Sequence, residues 1–182
     1  MLSLTWVPTA DNTVADAIYR TSRDTIIRMS PSAFRRVRDQ FGPFNIDLIA
    51  CNASAQRSPL TGLRLPFFSR YDCEGSLGRD VLAQNVAVVP PTGTPAFGFC
   101  FPLPVMVGHV LQHLSECRAR AVVIAPSEKA YWTPLMHSAT VRSTEVAARG
   151  ANGCFLWPSP TGSLRDWQYT RYAVTAFEVD FR

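Results

Sequence analysis

The segment FGFCFPLPVMVGHVLQHLSEC, residues 97–117, decides the predicted fold. Its first five residues, 97–101, form an apolar run of strand length, and a proline-stiffened turn follows. From about Val105 onward, apolar residues recur on one face of a helix. These residues are Val107, Val110, Leu111 and Leu114. Residues 121–125, AVVIA, are a second apolar run, so the order strand, helix, strand predicts a βαβ unit within a parallel sheet covered by helices.

The ends of these two strands are where a ligand site is expected. In open α/β sheets, ligands bind beyond the carboxyl ends of the parallel strands. Residues 101–104 and 126–129 follow the two strands of the predicted unit. The first of these segments reads FPLP and carries no side chain suited to acid–base or nucleophilic chemistry. The sequence therefore predicts the place of a site more clearly than its activity.

Further elements lie on both sides of this unit. Ser30 is a good N-cap and Pro31 suits the first position of a helix, which Gly42 ends. Residues 45–51, NIDLIAC, are predicted to form the first strand of the main sheet. Residues 167–181 alternate in polarity, which favours a late antiparallel strand at the edge of the sheet.

Asp47 is the main polar candidate within a predicted strand. A carboxylate in a buried strand is costly unless it is paired, so Asp47 is either a site residue or a partner of nearby backbone or of an arginine. The chain contains no glycine-rich phosphate loop, no GxSxG motif and no HExxH motif. No residue spacing predicts a metal site.

Composition limits the class of protein. The chain has 182 residues, of which 47% are hydrophobic and 18% charged, as in a globular domain. Its net charge is +4, and Lys129 is the one lysine among 18 basic residues. Arginine suits bidentate contacts with phosphate, although a compositional bias explains the excess equally well. We expect an intracellular chain, cytoplasmic or nuclear, without a membrane partner, because no signal peptide or membrane-spanning run is present.

Several segments resemble a known family. Residues 4–20, LTWVPTADNTVADAIYR, resemble the tail of retroelement ribonuclease H domains, and Asp16 occupies the place of a metal ligand in that pattern. Four later segments resemble the domain that follows ribonuclease H in DIRS-type, tyrosine-recombinase retrotransposon polyproteins. They are SPSAFRRVRDQFGPFNIDLIACNASAQ, LPFFSRYDCEGSLGRDVLAQNV, FGFCFPLPVMVGHVLQHL and AVVIAPSEKAYWTPLM. That domain is similar to Dam-like adenine methyltransferases.

The resemblance implies a domain organisation and a fold. Residues 1–22 would be the C-terminal remnant of a ribonuclease H domain. Residues 23–182 would form a single, degenerate methyltransferase-like domain. The expected fold is α/β, with a Rossmann-like, mainly parallel sheet, flanking helices and a late antiparallel edge strand.

The resemblance also implies a loss of catalytic groups. The methyltransferase signature is Asp or Asn followed by Pro-Pro and an aromatic residue, whose side chains hold and stack the target base. Here the corresponding positions are Phe101, Pro102, Leu103 and Pro104. Both chemical roles are therefore missing, and Asp16 lacks the other acids that a two-metal nuclease needs. We expect no resident cofactor, and S-adenosylmethionine if methyl transfer persists.

These observations lead to three hypotheses of function. The first is a non-catalytic, retroelement-derived domain that associates with nucleic acid and with other domains of its polyprotein. Phosphate contacts are predicted for Arg35, Arg36, Arg38, Arg57, Arg64 and Arg70, and base stacking for Tyr131 and Trp132. For the arginines of the helix after Ser30, a solvated helix surface is the alternative. The second hypothesis is a divergent DNA adenine methyltransferase in which Asp47 anchors S-adenosylmethionine. The third is a protein-interaction module with exposed apolar surface.

Overall fold

Mixed α/β structure with one central sheet is seen in the part of the chain that the computed structural model describes. These residues are 27–70, 73–158, 164–166 and 172–182. The predicted ribonuclease H remnant, residues 1–22, lies outside them, and so does Asp16. The fold of the remaining residues can be compared with the sequence-based expectation element by element.

Within the described residues, three α-helices pack around the central sheet. They are α1 (Pro31–Phe41), α2 (Val107–Glu116) and α3 (Thr133–Ala139). Helix α1 has the predicted ends, because Ala33 N donates to Ser30 Oγ over 3.3 Å and Gly42 follows the last turn with a φ of +110°. Among the described residues, no helix combines the length and apolar character that crossing a bilayer requires.

Ten strands form three sheets within the described residues. They are β1 (Arg28–Met29), β2 (Ile46–Asp47), β3 (Val88–Val89), β4 (Thr94–Pro95), β5 (Phe97–Cys100), β6 (Arg120–Pro126), β7 (Thr140–Ala147), β8 (Phe155–Pro158), β9 (Leu164–Asp166) and β10 (Val174–Asp180). The central sheet has the order β2-β5-β6-β10-β7, a second sheet has the order β1-β8-β9, and β3 pairs with β4.

The predicted βαβ unit is confirmed. Strand β5 runs parallel to β6 with Phe99 opposite Val122, and α2 connects the two strands. Strand β2 runs parallel to β5 on the other side, with Asp47 opposite Phe99. The carboxyl ends of β2, β5 and β6 therefore meet at one edge of the sheet.

The expectation of a mainly parallel sheet with a late antiparallel edge strand is confirmed only in part. Two strand pairings are parallel, and the other two, β6 with β10 and β10 with β7, are antiparallel. Strand β10 is antiparallel as predicted, but it lies inside the sheet between β6 and β7. The reason is that both faces of β10 are buried: Ala176 packs in the core on the α1 side and Val179 in the core on the α2 side. A strand that is buried on both faces is better placed inside a sheet, where the backbone groups on both of its edges are hydrogen-bonded, than at an edge.

Strand β2 is shorter than the predicted strand 45–51. Of the predicted residues, only Ile46 and Asp47 pair with β5 as a strand, after which the chain turns away from β5. Residues 66–68 then run beside β2: Asp47 N donates to Pro66 O over 2.8 Å, and Phe68 N donates to Asp47 O over 3.1 Å. This return of the chain brings the long loop after β2 back against the sheet.

The central sheet separates two apolar cores. Ala121, Val123 and Ala125 of β6 pack with α2 and α3, whereas Val122 and Ile124 pack with α1. All five residues are at most 1% exposed. Full burial of a valine or isoleucine side chain stabilises the fold by about 1.5–3 kcal/mol. Both faces of the sheet therefore need a layer that covers them. Helix α1 on one face and helices α2 and α3 on the other supply it.

A buried ion-pair cluster joins three strands and one helix. Glu178 of β10 is 2% exposed and accepts hydrogen bonds from Arg120 of β6 and Arg142 of β7. Burial opposes ionisation of Glu178, but the bonds from Arg142 and Arg120 outweigh this effect and lower its pKa. Arg142 also donates to Gln40 O and Phe41 O at the end of α1, over 3.0 Å each. The cluster therefore ties the carboxyl end of α1 to the sheet.

We expect Glu178→Gln to reduce the free energy of unfolding by about 1.5–3 kcal/mol, because a neutral amide accepts weaker hydrogen bonds than a carboxylate from Arg120 and Arg142, whose side chains are 31% and 45% exposed. Urea denaturation at neutral pH measures this loss. Since the pKa of Glu178 is lowered, the difference from wild type should shrink as the pH falls through that pKa. Glu145→Gln, which changes an exposed acid of β7, is the control and should cost under about 0.5 kcal/mol. Equal losses in the two variants would contradict this role.

Candidate functional site

A cleft lined by arginines lies beside the loop that follows β2. Its volume is about 520 Å³, and its walls are the start of α1, strand β1 and parts of residues 52–64. Arg28, Arg35, Arg57 and Arg64 line it, and none of the described lining residues is acidic. We refer to this cavity with its four arginines as the arginine cleft. It lies beyond the carboxyl end of β2, the edge at which such sheets bind ligands.

The loop that forms one wall is held by its own hydrogen bonds. Ser54 N and Ala55 N both donate to Cys51 O, over 3.0 and 2.9 Å, which makes one helical turn. Cys51 N in return donates to Ser54 Oγ over 2.8 Å. The chain next forms a short antiparallel pairing, in which Leu65 N donates to Gln56 O over 2.8 Å. The wall of the cleft is therefore an ordered loop with defined positions for its side chains.

This antiparallel pairing brings two of the arginines together. Arg57 and Arg64 lie opposite each other as an isolated bridge. Arg57 Nη1 donates to Gly62 O over 3.0 Å, which holds its guanidinium at the turn. The Arg64 side chain has no hydrogen-bond or ion-pair partner among the described residues. Two cations thus sit on one wall without a neutralising carboxylate in the lining.

The other two arginines belong to the opposite wall. Arg28 lies on β1, and its Nη1 donates to Ala53 O across the cleft over 3.1 Å. Its Nε is shielded from solvent and has no hydrogen-bond partner. Arg35 is exposed on the second turn of α1, without a side-chain partner among the described residues. The positive end of the α1 dipole adds to the field at this wall.

Asp47 holds the loop that forms one wall of the arginine cleft. Its side chain is 2% exposed, and its Oδ2 accepts a hydrogen bond from Gln56 N over 3.1 Å. Gln56 lines the cleft and also donates through Nε2 to Met29 O over 3.4 Å. Asp47 Oδ1 is buried without a partner. The sequence left two interpretations of Asp47 open, a site residue or a partner of nearby backbone or of an arginine. The described contacts match the interpretation in which Asp47 is a hydrogen-bond partner of nearby backbone.

The environment of Asp47 changes its ionisation. Burial raises the pKa of Asp47 from 3.8 to about 7, although hydrogen bonds from the backbone of Gln56 and Ile49 act in the opposite direction. The carboxyl group is therefore largely neutral below pH 7 in the folded chain and ionised above about pH 4 in the unfolded chain. Burial and the nearby Asp47 together raise the pKa of the Cys100 thiol.

We expect Asp47→Asn to remove a pH dependence of stability. Between about pH 4 and pH 7 the unfolded state binds fewer protons at this position than the folded state, so the unfolding free energy of the wild type falls as pH rises. Each pH unit in this window costs up to about 1.4 kcal/mol. Urea denaturation across the window measures the slope, and Asp39→Asn, at an exposed acid of α1, is the control. An unchanged slope in Asp47→Asn would show that another group causes it.

Half of the predicted phosphate-binding arginines lie in the cleft. Arg35, Arg57 and Arg64 line it, as described above. Arg36 instead donates to Val146 O over 3.2 Å and so connects α1 to β7. Arg38 pairs with Asp39 on the exposed side of α1, and Arg70 is exposed away from the lining of the cleft.

The two predicted stacking residues have opposite environments. Tyr131 is 72% exposed and lies across Gly108, where a β-carbon would come within 2.5 Å of its ring. The glycine therefore allows the ring to rest against the first turn of α2. Trp132 is 5% exposed and packs in the core with α2 and α3. Of these two side chains, only that of Tyr131 is largely exposed to solvent.

The turn after β5 is packed with hydrocarbon. The Phe101 ring lies 5.2 Å from the Phe155 ring, and Pro102 is buried. Leu103 is 45% exposed, and Pro104 begins a single 3-10 turn. The arginine cleft is lined by the loop after β2 instead of by the predicted segments 101–104 and 126–129.

Sequence reasoning missed two contributors to the cleft. Arg28 reaches it only because β1 pairs with β8, where Arg28 lies opposite Leu156, a contact between distant parts of the chain. Gln56 matters through its backbone N–H, which no residue pattern reveals. The proximity of Arg28 to the N-cap Ser30 was the one available signal, because the start of a helix is a favourable place for an anion.

Comparison with known proteins gives no assignment. No family model matches the chain. No curated protein matches it either.

Proposed function

We propose that this chain is a non-catalytic, retroelement-derived domain that binds the phosphate groups of single-stranded nucleic acid in the arginine cleft. The observation that carries the proposal is the grouping of four guanidinium groups around one cavity whose described lining contains no acid. Elsewhere in the described chain, arginines such as Arg120 and Arg142 form ion pairs with a carboxylate, that of Glu178. The cleft arginines thus keep their charge available for a ligand.

Electrostatics favour an anion in this place. Each guanidinium carries five N–H donors, and the hydrogen bonds of Arg28 and Arg57 within the chain use only one each. Gathering like charges in a concave site is unfavourable unless an anion neutralises them. Arginine also matches phosphate geometry with two parallel hydrogen bonds. A phosphate-bearing ligand therefore satisfies both the charge and the free donors.

The exposed ring of Tyr131 supports a single-stranded ligand. The loops after β2 and β6 lie at the same edge of the sheet, and these strands are two places apart. Since neighbouring strands are about 4.8 Å apart, the two strand axes are separated by about 10 Å. An unpaired base can stack on an aromatic ring, whereas a paired base cannot. Tyr131 rests on α2, on the face of the sheet opposite α1, so a strand held in the cleft has to cross this edge of the sheet for one of its bases to stack on the ring.

The family resemblance supports the proposed origin. In a DIRS-type polyprotein, the neighbouring ribonuclease H and other domains would be the partners of this domain. We do not include methyl transfer, because the turn at Phe101 presents hydrocarbon where a methyltransferase needs a polar group and a stacking ring. S-adenosylmethionine binding by this chain stays a prediction of the alternative hypothesis.

We expect binding to a single-stranded oligonucleotide to weaken steeply with salt. Fluorescence anisotropy between about 50 and 200 mM salt gives the slope of log K against log salt concentration, which is about −0.7 for each phosphate contact. The double variant Arg35→Gln/Arg64→Gln should lose about one to two phosphate contacts, which makes the slope less negative by about 0.7 to 1.4. The reason is that both side chains lack partners within the described chain and are free to bind phosphate.

The control for this experiment is Arg149→Gln. Arg149 is exposed on the turn between β7 and β8 and does not line the cleft, so its loss should leave the slope almost unchanged. An equal effect of the control and the double variant would indicate nonspecific attraction to a basic surface. Absence of binding at low salt would end the proposal.

We expect Tyr131→Ala to weaken oligonucleotide binding by about 1–3 kcal/mol without changing the salt slope, since stacking does not release counterions. The same anisotropy titrations measure both quantities. Tyr131→Phe keeps the ring and should bind like the wild type. A change of salt slope in Tyr131→Ala would place the residue among the phosphate contacts instead.

A further inference from the structure

We infer that the arginine cleft receives the terminal phosphate of a nucleic-acid strand, a phosphomonoester, in preference to a phosphodiester within the strand. This inference rests on the proposed function and specifies the ligand of the same site. Two features of the cleft support it: its uncompensated charge and the guanidinium donors that remain free on both of its walls.

The first feature is the density of charge. Four arginines surround a cavity of about 520 Å³, and its described lining has no carboxylate. A phosphodiester brings one negative charge, whereas a phosphomonoester brings about 1.5 to 2 at neutral pH together with three acceptor oxygens. The terminal group therefore neutralises more of the charge in the same volume.

The second feature is the set of donors that face the cavity from both walls. On one wall, Arg28 Nη1 donates to Ala53 O of the other wall, which leaves further N–H groups of that guanidinium for a ligand. Arg35 and Arg64 have no side-chain partner among the described residues. A group with three free oxygens can accept from several of these side chains at once.

The test compares three oligonucleotides of one sequence and of about 12 nucleotides, a length within the usual site size of single-strand binders. One carries a 5′-phosphate, one a 3′-phosphate and one hydroxyl groups at both ends, and each has the same internal fluorophore. We expect one of the phosphorylated forms to bind about tenfold more tightly than the unphosphorylated form, because its charge-assisted hydrogen bonds are added to the common contacts. The two phosphorylated arms identify which end is recognised.

Two readouts tie the preference to this site. Arg28→Lys retains the charge but cannot donate two parallel hydrogen bonds to one phosphate, so the end preference should fall while salt-dependent binding persists. Arg149→Gln should keep the preference. The preference should also shrink below about pH 6, where the phosphomonoester gains its second proton. Thermal melting of each variant establishes that the chain is folded.

The outcomes separate the inference from the proposed function. Equal affinities for the three oligonucleotides, with salt-dependent binding that Arg35→Gln/Arg64→Gln weakens, would overturn the end preference and leave the proposed function standing. An end preference that survives in Arg28→Lys at full size would also overturn the assignment to this cleft. Lack of binding by all three oligonucleotides would overturn both.

Discussion

The complete burial of strand β6 is the constraint on which the rest of the structure depends. Its residues from Ala121 to Ala125 face apolar cores alternately on both sides of the sheet. A strand of this kind needs paired neighbours at both edges and a layer on each face. Strands β5 and β10 pair with the two edges of β6, and the helices cover its two faces. Helix α1 is thereby placed on the face where its first turns border the arginine cleft.

The cleft in turn depends on polar contacts that the cores do not provide. The buried carboxyl group of Asp47 holds Gln56 N, and the side chain of Gln56 reaches Met29 O on the opposite wall. Arg28 makes a second connection between the walls through Ala53 O. The basic side chains are therefore positioned by a small network in which one member, Asp47, is costly to bury. Costly polar groups of this kind are commonly kept at functional sites.

Local signals predicted the fold where they were sufficient. Ser30, Pro31 and Gly42 define α1 because capping depends on residues close in sequence, and the run 97–117 defines the βαβ unit for the same reason. The position of β10 was missed because strand order depends on which faces are buried after folding. For the cleft, residue type gave Arg35, Arg57 and Arg64 as candidates, but it gave Arg36, Arg38 and Arg70 equally, and these do not line the cavity. It could not select Arg28, whose position depends on pairing with Leu156.

Helix α1 is attached to the remainder of the fold at both of its ends. Ser30 N donates to Cys154 O over 2.9 Å at one end, and Arg142 donates to Gln40 O and Phe41 O at the other. A wall secured in this manner has little freedom to lose when a ligand arrives, so the entropic penalty of association at that wall is small. This wall of the binding site is preorganised, and ligand binding is expected to cause little rearrangement of the protein backbone there.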